Sequence, residues 1–439
     1  MNTTQLILIG NGMATNRILE ALGTEHPFDA IHVFSDEHCA HYNRIMLSPL
    51  LAQETTLGDI TPHDDHWYQA RRIQVHLNQP VQRVDTEQQQ VITQDGEAFD
   101  YQQLVFATGS RSAMPPLPGT EANNVLGFRS MADVDQMLDS LPDIQHATVI
   151  GAGLLGVEAA VGLKAHGLDV TLMHRNPVLM NRQLDALGSR ILTDELVKRG
   201  IEVLTGVNPD ALTLDTGHNA CAVEFTERQT QQPTQQQTHQ CPTGMVVFAT
   251  GILPNRELAE QAGLNVDRGI CVNAHMQTSA LNVFALGECC QYEHHTYGLV
   301  APIWDQADVV ARQLLQQQPQ QQPQQPQQQP LSSPYREREH LTKLKVSGVD
   351  IHSLGRFNPA PDVDPRTGQL DEVLTLEDLN NGVYKKLIIN NQRIQGALCI
   401  GDVMDSGWYY ELMTQQTDIG PYRDYLLLGQ RWVNQIVAA

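Results

Sequence analysis

The sequence predicts an α/β chain, two copies of a doubly wound parallel sheet followed by a small α+β domain. Three observations lead there. A strand, a glycine turn and a helix occur twice, as "LILIGNGMAT" from Leu6 and "ATVIGAGLLGVEAA" from Ala147. Each is followed downstream by nearly the same apolar strand, "VFATGS" at 105–110 and "VFATGI" at 247–252. The spacings also agree, 99 positions from Gly10 to Gly109 and 100 from Gly151 to Gly251, so motif and distance are duplicated together. Each copy has the strand, turn and helix order of a doubly wound sheet.

The bulk properties narrow the class. With 439 residues the chain has room for several domains and a large core. Its 28 basic and 50 acidic residues leave a formal net charge of −22, which repels nucleic acid and anionic membrane surfaces. The N-terminus "MNTTQLILIG" lacks the basic segment and cleavage site of a secretory signal, and no apolar run is long enough to span a bilayer. A cytoplasmic protein is expected. Seven cysteines, with no C-x-x-C among them, argue against a disulfide framework, a zinc ribbon or a thioredoxin-type centre, and no metal site is expected. Redox chemistry, if present, must belong to a bound cofactor.

Taken in order, the first copy occupies 1–115 and resumes at 246–315, and the second is inserted as 116–245. The stretch "ERQTQQPTQQQTHQ" at 227–240 lies between the strands "AVEF" and "MVVFAT" and reads as an enlarged hairpin tip. The Gln/Pro-rich stretch 316–330 has almost nothing to bury and reads as an extended linker. Beyond it, 331–439 alternates strands such as "LTKLKVSGVDIHSLGRF" and "GVYKKLIINNQRIQGALCIGD" with Gly and Asn-Asn turns before helical sequence. That is the α+β domain.

A glycine turn between strand and helix binds pyrophosphate, because missing side chains let backbone amides approach and the helix N-terminus favours negative charge. "GAGLLG" carries all three glycines, Gly151, Gly153 and Gly156; the first copy has Gly10 and Gly12 but Thr15 in third place. The third glycine serves helix packing, so Thr15 should loosen that packing while leaving the pyrophosphate contact. Two such turns imply two dinucleotides that exchange electrons, a resident flavin and an exchanging nicotinamide.

The segments "GNGMA", "ATGSR", "GAGLLGVEAA", "ATGILPN" and "VFALGE" resemble the two-dinucleotide-binding flavoproteins of the glutathione-reductase type. More closely, "YNRIMLSPLLA", "VLMNRQLD", "TYGLVAPIWDQA" and "LTKLKVSGVDIHSLG" resemble the FAD/NAD(P)H half of the assimilatory nitrite reductase large subunit and the rubredoxin reductases. The resemblance covers nearly the whole chain outside the Gln-rich segments. It implies two Rossmann-like domains, one for FAD and one for NADH or NADPH, with 331–439 as a docking or dimer domain. The iron–sulfur and sirohaem regions of those reductases have no counterpart here, so the resemblance implies a stand-alone electron-entry module.

Carried over to this chain, the resemblance places the FAD pyrophosphate at Gly10 and Gly12 with Met13 and Ala14 beside them. Asp36 or Glu37 would approach the adenosine ribose, although Asp36 lies 26 positions from Gly10, beyond the usual ~20. Arg44 and Ser48 would approach the flavin or its diphosphate, and Ala107, Thr108, Gly109 and Arg111 would close over it. Gly287 precedes Glu288, which stands where an aspartate usually meets the ribityl chain. On the nicotinamide side the resemblance points to Gly151, Gly153, Leu154, Leu155 and Gly156, with Thr250 and Gly251 at the second "ATG". Glu158 falls beside the nicotinamide and flavin rings; its plain alternative is a carboxylate favoured by the helix dipole. Each polar position has such an alternative, a surface turn or cap.

His174 and Arg175 stand at the end of the strand "VTLMHR", where an acid would bind the ribose hydroxyls of NADH and repel the 2′-phosphate of NADPH. That exclusion is missing. Arg175 adds a charge able to pair with phosphate, so the pair admits NADPH as well as NADH.

Disulfide and peroxide reductases of this type need a cysteine beside the flavin. The corresponding stretch Asn43–Pro49 has none, Cys39 comes earlier, and adjacent Cys289 and Cys290 suit a buried structural role. The expected acceptor is therefore a separate iron–sulfur protein, as in a nitrate or nitrite reductase, with rubredoxin or ferredoxin as the alternative and a non-enzymatic flavin sensor as the contrasting class. Trp408, Tyr409 and Tyr410 are either interface anchors or core residues.

Overall fold

The computed structural model describes residues 4–227, 237–316, 333–346 and 348–437. The chain forms two compact units. One comprises 1–113, 129–135 and 252–338; the other comprises 114–128, 136–251 and 339–439.

In the first unit a five-stranded parallel sheet runs in the spatial order Ile73–His76, Ala30–Phe34, Gln5–Ile9, Gln103–Phe106, Val283–Ala285. Its central strands are continuous apolar runs because both faces are covered; Leu6, Ile7, Leu8 and Val105 have no exposed surface. The helix Met13–Leu22 buries Ile18, Leu19 and Leu22 and packs against the helix Val300–Gln316, which buries Val309, Val310 and Leu314. The glycine turn that follows Gln5–Ile9 therefore emerges at the carboxyl edge of the sheet, where ligands bind in such folds.

The second unit repeats the arrangement with the order Ile201–Thr205, Asp169–His174, His146–Ile150, Met245–Phe248, Val125–Gly127, again all parallel. In both copies the strand before the glycine turn is central, with the strand before the "ATG" on one side. The fifth place differs in origin. In the first unit it is filled by a strand late in the chain, and in the second by one that precedes the glycine motif.

The strand Thr238–Pro242 pairs with Ala220–Glu227, so part of the segment expected as a hairpin tip is strand. The remainder of that tip, 228–236, lies outside the described residues, as does 317–330 of the expected linker. Gln316 closes its helix. Tyr335 is buried in the core of the first unit, its amide donating to the Ala274 carbonyl at 2.7 Å.

The C-terminal part of the second unit is a five-stranded antiparallel sheet ordered Thr342–Val346, Val349–Gly355, Arg393–Ile400, Val383–Asn390, Glu372–Asp378. The helix Ser406–Thr414 packs on it. Tyr409 is wholly buried and its hydroxyl donates to the Leu426 carbonyl at 2.9 Å, which makes it a core residue; Trp408 packs half-buried against the same cluster. A buried polar knot ties this sheet to the rest of the unit. Asp185 caps the helix Ala186–Lys198 through the Gly188 amide and accepts the Tyr384 hydroxyl and the Lys386 ammonium, both at 2.8 Å. No helix among the described residues is long and apolar enough to cross a membrane.

Candidate functional site

The two glycine turns match bond for bond. Gly10 and Gly151 both take positive φ, +103° and +109°, a region that favours glycine. Their amides donate to the Phe34 and Met173 carbonyls, each at 2.8 Å, and the amides of Ala107 and Ala249 return bonds to the Ile9 and Ile150 carbonyls, again at 2.8 Å. A Cβ at Gly10 would lie 2.8 Å from the Ala107 carbonyl carbon, and one at Gly151 2.7 Å from that of Ala249. Gly12 and Gly153 begin the two helices and face open space, with nothing within 4 Å of a built Cβ. Each turn thus combines a glycine forced by packing with a glycine facing an empty approach to unsatisfied helix amides.

The third positions differ. A Cβ at Gly156 would lie 2.9 Å from the Gly151 carbonyl carbon and closer still to its oxygen. Thr15 occupies the corresponding place in the first copy, is wholly buried, and donates its hydroxyl to the Gly10 carbonyl at 2.6 Å. Where looser packing was expected, the structure holds a hydrogen bond between helix and turn.

Around the first turn the structure gathers a charged cluster. Glu37 lies just beyond the strand Ala30–Phe34, accepts the Tyr42 hydroxyl at 2.7 Å and pairs with Arg44, while Asp36 is exposed. Arg44 donates to the Arg129 carbonyl at 3.1 Å and sits 5.4 Å from the Tyr42 ring centroid. Burial would lower the Arg44 pKa, but Tyr42 and Glu37 outweigh it and raise it. Arg129 pairs with Glu288, which also accepts the Ser110 hydroxyl at 2.7 Å. Burial, with Arg44 nearby, lowers the Arg129 pKa to about 10. His41 donates to the Asn11 carbonyl through Nδ1 at 3.2 Å, and burial depresses its pKa to about 4.

Of the residues expected here, Met13, Ala14, Ala107, Thr108, Gly109 and Gly287 line up along the carboxyl edge of the first sheet, with Ser48 half-buried on the short helix Leu47–Leu51. Thr108 is held by Asn255: its hydroxyl donates to the Asn255 carbonyl at 2.7 Å and the Asn255 amide answers its carbonyl at 2.8 Å. Arg111 is exposed and paired with Glu257 and Asn255. Arg129 was missed by the sequence reading. Its one local signal is the reciprocal cap Ser130–Asp133, which starts a helix immediately after it.

At the second turn, Leu154 and Leu155 open the helix Leu154–Ala165 on which Glu158 is half-buried, and Thr250 and Gly251 are exposed. His174 accepts the Ala152 amide through Nδ1 at 3.2 Å. Its Nε2 is buried and makes no hydrogen bond of good geometry among the described residues. Burial lowers the ring's pKa, against an upward pull from the Asn181 side chain beside it. Arg175 is exposed and pairs with no carboxylate among the described residues.

Comparison with known proteins places the fold. The profile described as pyridine nucleotide-disulphide oxidoreductase matches residues 4–313, which contain both glycine turns. The chain belongs to that family. Residues 341–417 match the rubredoxin NAD+ reductase C-terminal domain. The chain is 35% identical over 420 residues to nitrite reductase (NAD(P)H) of Bacillus subtilis (strain 168), covering 95% of this chain and 48% of that protein. It is 34% identical over 421 residues to the assimilatory nitrate reductase electron transfer subunit of the same organism, covering 95% of this chain and 50% of that one. The chain thus spans about half the length of these curated relatives. Among solved structures, the covalent putidaredoxin reductase–putidaredoxin complex superposes with a TM-score of 0.79 at 22% identity, covering 100% of this chain and 98% of that one.

Members of the family bind FAD and NADH or NADPH, and the residues present fit both groups. The two cradles are open where a pyrophosphate would lie. Asn11 Nδ2 and Arg129 Nε, buried beside the first, have no partner among the described residues, and His174 Nε2 beside the second is buried with only the Asn181 side chain near it. These are donors, and phosphate and hydroxyl oxygens are the acceptors they lack. The disulfide chemistry in the family's name finds no support in the thiols. All seven cysteines are free, Cys289 and Cys290 are wholly buried with raised pKa values, and burial pushes Cys39 up to about 11.

Proposed function

We propose that this chain is an FAD-dependent NAD(P)H oxidoreductase that passes electrons to a separate redox protein. The observation that carries the reading is the duplicated cradle, two glycine turns with matching backbone hydrogen bonds at the carboxyl edges of two parallel sheets. A bound flavin would supply the redox chemistry that links a two-electron hydride donor to an electron acceptor.

The chain's own residues bind and orient. Gly10, Gly12, Met13 and Ala14 would present amides to the FAD pyrophosphate, with Arg44 and Arg129 neutralising its charge and Ser48 beside them. Glu37, held in place by Tyr42 and Arg44, would accept the adenosine ribose hydroxyls, with Asp36 the exposed alternative. Ala107, Thr108 and Gly109, locked by Asn255, would close over the cofactor, Arg111 steadying that lock. Gly287 and Glu288 would meet the ribityl chain. Gly151, Gly153, Leu154, Leu155 and Gly156 would cradle the nicotinamide dinucleotide, with His174, Arg175, Thr250 and Gly251 at its rim and Glu158 toward its reactive ring. Hydride transfer needs alignment and exclusion of water more than a protein acid or base.

The relatives named as a nitrite reductase and a nitrate reductase electron transfer subunit favour a nitrogen-oxide reductase component as acceptor. The match of 341–417 to a rubredoxin reductase domain favours rubredoxin as the second reading. Anaerobic stopped-flow mixing of the yellow protein with NADH and NADPH tests the core of the proposal. Rapid bleaching with no thiol-dependent phase is expected; a protein without flavin, or one that neither nucleotide bleaches, would overturn it.

A further inference from the structure

The two glycine turns share one more bond. The carbonyl of the residue between the first two glycines is held in both copies, that of Asn11 by His41 Nδ1 at 3.2 Å and that of Ala152 by the Met180 amide at 2.8 Å. His41 and Met180 each stand seven positions beyond the residue, Phe34 or Met173, whose carbonyl the first glycine amide bonds. In the first copy the clamp is a side chain. In the second it is backbone, so the connection that carries it must itself be held. We propose that the C-terminal sheet holds it: Tyr384 and Lys386 pin Asp185, and Asp185 is a positioning residue that fixes the nicotinamide cradle through Met180. This rests on the oxidoreductase reading above and identifies what aligns its nucleotide site.

The contacts run from sheet to cradle without a gap. Tyr384 and Lys386 alternate along the strand Val383–Asn390, so they share a face, and both donate to the same Asp185 oxygen at 2.8 Å. All three side chains are buried. Burial alone would raise the Asp185 pKa, but the bonds from Lys386, the Gly188 amide and Tyr384 outweigh it and lower it, so the acceptor is a carboxylate. Ile400, paired with Tyr384 in register, presses on the same helix: a Cβ at Gly188 would lie 2.9 Å from its Cδ1. Just before Asp185, the Gln183 and Leu184 amides donate to the Met180 carbonyl at 2.7 and 2.9 Å, and Ser189 on the capped helix accepts the Leu179 amide at 2.7 Å. Met180 is thereby kept at φ +46°, which a residue with a side chain adopts when its surroundings impose it.

The last link is peptide geometry. In a trans peptide the N–H points away from the C=O in one plane, so the Met180 amide, by fixing the Ala152 carbonyl, also fixes the direction of the Gly153 amide at the mouth of the cradle. His174 accepts the Ala152 amide on the preceding peptide. The edge strand Thr342–Val346 of the same C-terminal sheet packs against the helix Leu154–Ala165, which the cradle opens. The sheet thus braces the nicotinamide turn at two places.

Calorimetric titration of the FAD-loaded protein with ADP-ribose and with its 2′-phosphate reads the cradle without turnover. Asp185→Ser combined with Lys386→Met keeps a helix cap, leaves no buried charge alone and removes the strut. It should weaken the better of the two probes by about tenfold or more, the worth of one charge-assisted hydrogen bond. The nucleotide KM should rise by a similar factor, with bleaching at saturation within about twofold of the parent. Asp185→Asn combined with Lys386→Gln rebuilds a neutral strut and should restore most of the affinity. Tyr384→Phe strands no charge and should cost about threefold, which keeps the test open if the first pair does not fold. Unchanged affinity in the strutless pair or in Tyr384→Phe, or an equal loss in the neutral-strut pair, would overturn the proposal. A parent that binds neither probe would overturn the dinucleotide reading and the strut with it. The expected binding pattern in a protein that neither NADH nor NADPH bleaches would keep the strut and sink the oxidoreductase reading.

Discussion

Adding one methyl group at Gly156 sets two effects against each other. On an ordinary helix, Gly→Ala stabilises by about 1 kcal/mol through backbone entropy. Here the new Cβ would lie 2.9 Å from the Gly151 carbonyl carbon, closer still to its oxygen, and 3.2 Å from the Ala249 Cβ. Neither Gly151 nor Ala249 can yield easily, since both belong to the crossing that forms the cradle, with the Gly151 amide bonded to Met173 and the Ala249 amide to Ile150. The helix Leu154–Ala165 must therefore withdraw by about 1 Å, at an overpacking cost of roughly 1–3 kcal/mol that exceeds the propensity gain. Its first-turn amides, Leu154 and Leu155, would move with it. Because a displacement of ~1 Å can cost on the order of 10²-fold in a positioned reaction, Gly156→Ala should lower kcat/KM for the nicotinamide by about 10- to 100-fold. FAD content should be unchanged, since the first cradle belongs to a different unit. The assay is single-turnover flavin bleaching against nucleotide concentration, with the 450 nm absorbance of the purified protein as control. Nucleotide affinity and bleaching rate within about twofold of the parent would refute the packing argument. Thr15→Ala is the internal contrast: that site already holds a Cβ, and the change should remove only the bond to the Gly10 carbonyl, worth about 1 kcal/mol.

Three further outcomes are expected. Arg129→Ala strands the mostly buried Glu288 carboxylate, a loss on the order of 3–5 kcal/mol, and the purified variant should retain little FAD by absorbance. His41 is depressed from 6.5 to about 4 in the folded chain, so its contribution to stability is full above pH 6.5 and declines as pH falls toward 4; His41→Gln, which keeps a donor for the Asn11 carbonyl, should flatten FAD release over that window in flavin-fluorescence titrations. With Cys39 pushed up to about 11 and Cys289 and Cys290 buried, Cys39→Ser should leave bleaching rates unchanged and iodoacetamide at pH 7.5 should not slow them; thiol-dependent inactivation would reopen the disulfide reductase reading.

How far the sequence revealed this architecture depended on whether a residue was constrained by its neighbours in the chain or by distant ones. Gly10, Gly151 and Gly156 are constrained by backbone conformation and close approach, which only glycine satisfies, so motif and spacing disclosed them. The fifth strand of the second sheet, Val125–Gly127, was not legible: it has three residues and owes its place to pairing with Met245–Phe248 far along the chain. Arg129 is similar, a lone base given meaning by Glu288, 159 positions later. Thr15 was legible as a departure from the pattern, but its hydroxyl bond to the turn was not. The opposite charges beside the two cradles lie between these extremes. Asp36, Glu37 and Arg175 can each be read from the sequence, yet their equivalence cannot, because the first copy inserts a longer connection between turn and acid. The alignment comes from the bonds Gly10 to Phe34 and Gly151 to Met173. Once those bonds pair the strands, Asp36 and Arg175 become one position with two opposite charges.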